Sequence, residues 1–121
     1  MSFYKYQGTG NDFIILDNRD CIFPKKNNSL IASLCNRNFG IGADGLILLE
    51  DDENSDFKMV YFNADGNEST MCGNGGRCMV AFAKKLQLFD KTTKFLAIDG
   101  IHLAKIDAST VSLQMIDVHE V

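Results

Sequence analysis

The sequence has little of what several common classes of protein depend on. Its formal net charge is only -4, so no basic excess favours binding to nucleic acid or to an anionic membrane surface. No apolar run is long enough to cross a bilayer, and the first residues lack the apolar core of a signal peptide. Two histidines, and four cysteines without a CxxC pair, give a zinc site little support. We therefore expect a cytoplasmic protein without a metal and without nucleic-acid or membrane partners.

The length and composition are ordinary for one globular domain. The 121 residues are 45% hydrophobic, which is enough for a real core. Neither a linker, a repeat nor a low-complexity segment interrupts the chain, so we expect a single domain over residues 1–121. The cysteines are expected to be free thiols, because disulfides are rare in the cytoplasm. The acidic run at residues 50–53 is interpreted as a solvated loop.

Short apolar runs between turn residues predict a β-sheet. Continuous runs are typical of buried strands, and alternation is typical of half-buried ones; the last third of the chain has the turn spacing of a meander. The expected strands cover residues 13–16, 46–49, 57–63, 95–98, 101–106 and 111–118. A short helix over residues 30–35 is expected, with Asn28 and Ser29 as its cap.

A longer helix dominates the pattern. Met79, Phe82, Ala83 and Leu86 follow the i, i+3, i+4, i+7 spacing of a helix face. Other apolar residues lie on its remaining faces, as in a buried helix. The sequence therefore predicts an α+β fold in which a mixed or antiparallel sheet curls around one central buried helix.

A glycine-rich segment, residues 72–76, stands at the start of this helix. The first N–H groups of a helix have no partner within it, so they bind anions and stabilise a thiolate. We therefore expect Cys72 to be a reactive thiol beside an anion-binding site. The alternative is a tight connection in which Cys72 only fills space. Cys35 and Cys78 are interpreted as core residues.

Two asparagines lie in the neighbouring turns. Asn11 follows the glycine turn at residues 8–10, and Asn63 ends the third expected strand. Their amides offer donors and acceptors to a small polar ligand. The alternative is that each asparagine stabilises its own turn.

Four motifs together resemble the N-terminal half of diaminopimelate epimerase. They are GTGNDF at residues 8–13, GIGADGL at 40–46, FNADGNE at 62–68 and MCGNGGRC at 71–78. Any one alone is weak, but their joint order and spacing are specific. They cover the first two thirds of the chain, whereas the last third is similar only as a strand-rich meander.

The resemblance implies an isomerase that interconverts LL- and meso-diaminopimelate, in the synthesis of lysine and peptidoglycan precursors. The family uses neither pyridoxal phosphate nor a metal. One cysteine removes the α-proton and a second delivers a proton to the opposite face. By resemblance, Cys72 is one of the pair, Gly73 and Asn74 contact the substrate at the helix start, and Asn11 and Asn63 hold its polar ends.

Two departures from the family pattern qualify this expectation. Some members carry a glutamine where this chain has Gly45. The family chain is also roughly twice as long, and its second half carries the partner cysteine. We therefore expect one half of a two-domain enzyme, inactive alone, whose partner is the missing C-terminal half. A homodimer of such halves is an alternative way to complete the site.

Other functions remain open at this point. Proline-racemase-like or phenazine-biosynthesis-like isomerases share the fold, although Cys72 argues against the second group, and the motifs at residues 8–13 and 62–66 favour diaminopimelate over proline. A different class is a stand-alone half-domain that binds an amino acid or pairs with a partner chain without catalysis.

Overall fold

The computed structural model describes residues 3–8, 10–70, 73–107 and 110–115. Within these ranges, one seven-stranded sheet and two helices form an α+β fold, and the strand order follows the chain. No helix in these ranges has the length and apolar character needed to cross a membrane. The strands are β1 (Phe3–Gly8), β2 (Asn11–Asp17), β3 (Gly45–Glu50), β4 (Phe57–Asn63), β5 (Thr92–Ala97), β6 (Gly100–Asp107) and β7 (Thr110–Met115). The helices are α1 (Asn28–Cys35) and α2 (Gly73–Lys85).

The sheet is mixed, as predicted. β2 pairs with β3 in parallel, and so does β4 with β5, whereas the other neighbouring strands are antiparallel. Parallel neighbours need a crossover connection rather than a hairpin. The helices supply these crossovers, because α1 lies between β2 and β3 in the chain and α2 lies between β4 and β5.

Helix α2 is the central buried helix that its spacing predicts. Met79 and Phe82 are fully buried. The Phe82 ring lies 5.1 Å from the ring of Tyr4 and 5.9 Å from that of Tyr6, both in β1. At the other edge of the sheet, α2 contacts β7. Because α2 touches both edge strands, the sheet curls around it, which confirms the predicted architecture.

The central strands are buried on both faces. In β2, Phe13 and Ile15 belong to the core on the α2 side of the sheet, whereas Ile14 and Leu16 belong to a second core with Ile31 of α1. Neighbouring side chains of a strand point to opposite faces. A strand covered on both faces therefore reads as a continuous apolar run. This explains the unbroken runs of β2 and β3.

Strand β1 was not expected from the sequence. It alternates aromatic and polar residues only from Tyr4 to Gln7, and it is largely exposed at the edge of the sheet. There it pairs with β2 from Phe3 opposite Leu16 to Gly8 opposite Asn11. An edge strand buries little, so its own residues carry a weak signal. Its pairing with the strongly apolar β2 decides its structure.

The helix boundaries differ slightly from the prediction. Asn27, not Asn28 or Ser29, is the N-cap of α1, and its side chain accepts a hydrogen bond from the backbone N–H of Leu30 at 3.0 Å. Helix α2 ends at Lys85, because Gln87 has a positive φ of 62°. The next turn therefore leaves the helical path.

The interpretation of residues 50–53 as a solvated loop is wrong for Glu50. Glu50 ends β3 and is only 5% exposed. Its carboxylate accepts from Asn18 Nδ2 at 2.6 Å and from Lys25 Nζ at 3.1 Å. A buried carboxylate is tolerated only with such partners. These partners lie far away in the chain, so the local acidic run does not indicate them.

Candidate active site

Three strand ends meet at one edge of the sheet. Phe13 pairs with Gly45, and Gly45 pairs with Asn63, so β2 and β3 begin where β4 ends. Phe13 belongs to the core on the α2 side. Directly paired residues point to the same face of a sheet. The predicted site residue Asn63 therefore lies on the α2 side of this edge, which we call the amide edge.

The start of α2 reaches the same edge. Asn74, in the first turn of α2, donates from Nδ2 to Asn11 Oδ1 at 2.8 Å. The Asn11 Nδ2 group in turn donates to Asp44 Oδ2 at 3.3 Å. These partners lie 63 and 33 positions from Asn11, so the Asn11 side chain does not simply stabilise its own turn. The structure thus brings together two of the predicted site residues.

Asn63 is bonded differently. Its backbone N–H donates to the carbonyl of Asn67 at 2.9 Å, and its carbonyl accepts from Gly66 N–H at 2.9 Å, which closes the turn after β4. Asn63 is exposed, and no hydrogen bond joins its side chain to another described residue. Its amide faces solvent at the edge where Asn11 begins β2.

Gly45 leaves room for a tyrosine rather than for a side chain of its own. A Cβ at this position would lie 2.8 Å from the carbonyl oxygen of Phe62 and 2.9 Å from the hydroxyl of Tyr61. The first contact is with backbone, which does not give way easily. The Tyr61 hydroxyl therefore stands at the amide edge, next to the position where the resemblance implies a glutamine in some members of the family.

The sequence reasoning missed a charged cluster beside the asparagines. Arg37 forms two hydrogen bonds with the carboxylate of Asp12, at 2.8 and 3.2 Å, and one with Asp44 Oδ1 at 3.2 Å. Lys5 lies 3.2 Å from Asp12. The Arg37 hydrogen bonds, followed by Lys5, hold the pKa of Asp12 far below its usual range, and Asp12 raises that of Arg37. The signal was present, since Asp12 and Asp44 both lie inside the quoted motifs.

An open cavity of about 300 Å³ adjoins this cluster. It is lined by Gln7, Gly10, Asn11, Asp12, Arg37 and Asp44. Its wall therefore combines two amide groups with two carboxylates and one guanidinium. Such a wall suits a small ligand that carries both amino and carboxylate groups.

Cys72 lies outside the described residues, directly before the first residue of α2. Gly73 begins the helix, and Gly75 and Gly76 are buried within its first turn. The glycines therefore belong to the helix rather than to a loop before it. The anion-binding role of Gly73 and the reactivity of Cys72 stay predictions.

The other cysteines fit the interpretation that the sequence gives them. Cys35 is 3% exposed and Cys78 is 5% exposed, so both are core residues, whereas Cys21 is exposed. Burial raises the pKa of the Cys35 thiol to about 11. Among the described residues, no group of three histidine, cysteine or acidic side chains is placed to hold a metal ion.

Comparison with known proteins places the motifs in a family. The family model of diaminopimelate epimerase matches residues 3–117 of this chain. The chain is 66% identical to the diaminopimelate epimerase of Flavobacterium psychrophilum, over all of this chain and 48% of the relative. It is 49% identical to the chloroplastic diaminopimelate epimerase of Oryza sativa subsp. japonica, over 78% of this chain and 27% of the relative. The chain thus spans about half the length, or less, of these relatives.

Solved structures show the fold on more distant sequences. The Bacillus anthracis phenazine biosynthesis protein of the PhzF family superposes with a TM-score of 0.64 at 17% identity, over 87% of this chain and 34% of that protein. Methylitaconate-delta-isomerase superposes with a TM-score of 0.65 at 11% identity, over 90% of this chain and 61% of that protein. At such low identity the likeness extends to the fold alone. The family assignment rests on the sequence comparisons, by which this chain belongs to the diaminopimelate epimerase family.

Proposed function

We propose that this chain forms one half of the active site of a diaminopimelate epimerase. The observation that carries the proposal is the hydrogen bond of 2.8 Å between Asn74 and Asn11, which joins the MCGNGGRC segment to the GTGNDF segment. Asn63 lies at the same edge through its pairing with Gly45. Segments far apart in the chain thus converge where α2 begins, as a shared ligand requires.

The chemistry is a proton transfer at the α-carbon of diaminopimelate. The Cys72 thiolate takes the α-proton from one face, and its sulfur becomes a thiol. A second thiol, supplied from outside this chain, gives its proton to the opposite face and becomes a thiolate. The configuration at that carbon is inverted with no net change in protons. The family resemblance implies that this occurs without pyridoxal phosphate or a metal, as one step toward lysine and peptidoglycan precursors.

The start of α2 makes such a proton transfer feasible. The N–H groups of its first turn carry partial positive charge, so they suit the substrate carboxylate next to the reacting carbon. Negative charge that develops on that carbon spreads into the carboxylate, where fixed donors stabilise it without rearrangement. The same field favours the thiolate form of Cys72. Asn11, Asn63 and Asn74 would orient the amino and carboxylate groups.

The first test compares the complete gene product with the 121-residue chain. Both are incubated with LL-diaminopimelate in D₂O, and loss of the α-proton signal is followed by NMR. We expect epimerisation to the meso isomer by the complete product and none by the chain alone, because one face of the α-carbon then lacks an acid. Exchange with retention of configuration needs only one thiol and does not count as turnover in this test. Robust turnover by the chain alone, in monomeric form, contradicts the half-site proposal. Turnover only by a dimer indicates that a second copy completes the site.

A second test separates catalysis from binding. Brief treatment with iodoacetamide, followed by peptide mass spectrometry, should label Cys72 first and Cys35 last, because thiolates react and the pKa of Cys35 is about 11. Alkylation of Cys72 should abolish epimerisation by the complete product. If the chain binds diaminopimelate but the complete product never exchanges its α-proton, the protein is a binding module and not an epimerase.

A further inference from the structure

A chain of hydrogen bonds leads from Asp44 to the first turn of α2. Asp44 Oδ2 accepts from Asn11 Nδ2 at 3.3 Å, and Asn11 Oδ1 accepts from Asn74 Nδ2 at 2.8 Å. Asp44 itself lies just before β3, at the rim of the open cavity. It is not among the substrate contacts that the family resemblance implies.

The carboxylate of Asp44 determines the donor-to-acceptor direction of this series of hydrogen bonds. The two ends of an asparagine amide have nearly the same shape, so its partners decide which end points where. An ionised carboxylate only accepts hydrogen bonds. Asp44 Oδ2 also accepts from the backbone N–H of Asp12 at 2.9 Å, and Oδ1 accepts from Arg37 Nη2 at 3.2 Å. Both oxygens are therefore held in place by donors.

We propose that Asp44 is a positioning residue that sets the amide orientation of Asn11 and, through it, of Asn74. The carboxylate draws the nitrogen of Asn11 toward itself, so the oxygen of Asn11 faces α2. Asn74 must then present its nitrogen to Asn11, which decides where its own oxygen points. The kinetic consequence of this orientation depends on the proposed epimerase function, whereas the orientation itself does not.

The substitution Asp44→Asn should reverse the donor-to-acceptor direction of these hydrogen bonds, with almost no change in side-chain volume. Arg37 and the backbone N–H of Asp12 are both donors, so the new amide can offer its oxygen to only one of them. The charged Arg37 gives the stronger hydrogen bond, so the nitrogen faces Asn11 and the Asp12 N–H loses its acceptor. Asn11 turns its oxygen toward that nitrogen and its nitrogen toward Asn74. The Asn11 nitrogen would then face the Asn74 nitrogen, and both are donors. The amide of Asn74 therefore has to turn as well.

The orientation is tested on the ¹⁵N-labelled 121-residue chain by NMR of the side-chain amides. We expect Asp44→Asn to shift the signals of both Asn11 and Asn74. Asp17→Asn is the matched control, because Asp17 also pairs with an arginine but lies at the opposite end of β2. It should leave both signals in place. A folded Asp44→Asn variant with unmoved Asn11 and Asn74 amides overturns the proposal.

The kinetic test is a double-mutant cycle in the complete gene product. We expect Asp44→Asn to lower kcat/KM by roughly tenfold to a hundredfold, the range for partners that orient metal ligands and so act in the same indirect way. In the Asn11→Ala background it should add less than about twofold, because its target is then absent. Equal losses in both backgrounds mean that Asp44 acts independently of Asn11, which contradicts the proposal. If even the unmodified product fails to epimerise, the proposed function fails and the NMR result still decides the orientation.

A swap variant covers the case in which Asp44→Asn does not fold. Asn11→Asp combined with Asp44→Asn restores a donor opposite an acceptor at both contacts, and position 11 still accepts from Asn74. We expect this double variant to fold and its Asn74 amide signal to lie near the original position. Failure of the swap to restore folding shows that Asp44 is needed for reasons unconnected with Asn11, which also overturns the proposal.

Discussion

An asparagine stands next to an aspartate at each end of strand β2, and the two ends serve different purposes. Asn11 and Asp12 begin the strand at the amide edge, whereas Asp17 ends it just before Asn18. Each aspartate forms a short ion pair with an arginine, at 2.8 Å for Asp12 and 2.7 Å for Asp17. The arginine hydrogen bonds lower the pKa of both carboxyl groups. The ion pairs therefore do not distinguish a candidate site from a structural contact.

The asparagines do distinguish the two ends. Asn18 is fully buried, donates to Glu50 at 2.6 Å and accepts from the backbone N–H of Phe23 at 2.9 Å. Both ends of its amide are thus used, one to hold the end of β3 and the other to hold the loop that follows β2. Asn11 is half-buried and borders an open cavity, and its side chain bonds Asp44 and Asn74, which belong to other segments. An amide can serve a ligand only where such an opening remains.

A second open cavity, of about 400 Å³, lies at the Asn18 end and sharpens the comparison. It is lined by Asp17, Arg19, Asp20 and Asp51. The arginine there is already paired with Asp17. The wall is therefore mainly acidic, in contrast to the mixed amide and charged wall near Asn11. A substrate with carboxylate groups fits the amide edge better.

The largest difference between the two ends should appear at their cysteines. In the complete gene product, Cys72→Ser should lower the rate of epimerisation by about 10²–10⁴-fold, the usual contribution of one general acid or base. Cys21→Ser, near Asn18, should leave the rate unchanged, because Cys21 is exposed and follows the end of β2 that lies opposite the amide edge. The measurement is kcat with LL-diaminopimelate. A Cys72→Ser enzyme with near-normal kcat removes that thiol from the mechanism.

Alanine substitutions of the two asparagines should affect different properties: Asn11→Ala should lower catalytic activity, and Asn18→Ala should lower folding stability. Asn11→Ala should cost about 1.5–3 kcal/mol of transition-state stabilisation, the range for a hydrogen bond to a charged group, with little change in folding. Asn18→Ala should cost about 1–3 kcal/mol of folding stability, because Glu50 and the Phe23 N–H lose their partner. Urea denaturation and kcat/KM are measured for each variant. If both lose only stability, the distinction between the two ends fails.

The smallest expected difference is in acid stability. Both Asp12 and Asp17 have pKa values lower in the folded than in the unfolded chain, so the unfolded chain binds more protons in acid. Their stabilisation is present above the unfolded pKa of about 3.9 and is lost as the pH falls through the folded values. Two cations act on Asp12 and one on Asp17. Asp12→Asn should therefore flatten the acid limb of stability against pH more than Asp17→Asn, as followed by urea denaturation from neutral pH downward. The reverse order would assign the stronger ion pair to Asp17.

Much of the fold was predictable because its signals are local. The runs of β2 and β3 are apolar enough to predict buried strands, and β4 was predicted with its observed ends. Strand β1 was missed, since its structure depends on pairing with β2. The burial of Glu50 was missed for a similar reason: Asn18, its partner, lies 32 residues away.

The sequence by itself determined the α+β class, the buried helix α2 and the family, because helical spacing is a local property and the order of motifs can be read directly along the chain. It also indicated Asn11, Asn63 and Asn74 as separate polar positions. Only the tertiary structure decided that Asn74 donates a hydrogen bond to Asn11 and that Asn11 donates one to Asp44. The parallel pairing of β2 with β3 brings these residues to one edge. The pairing partner and the register of each strand depend on contacts between segments distant in the chain, which no local pattern encodes.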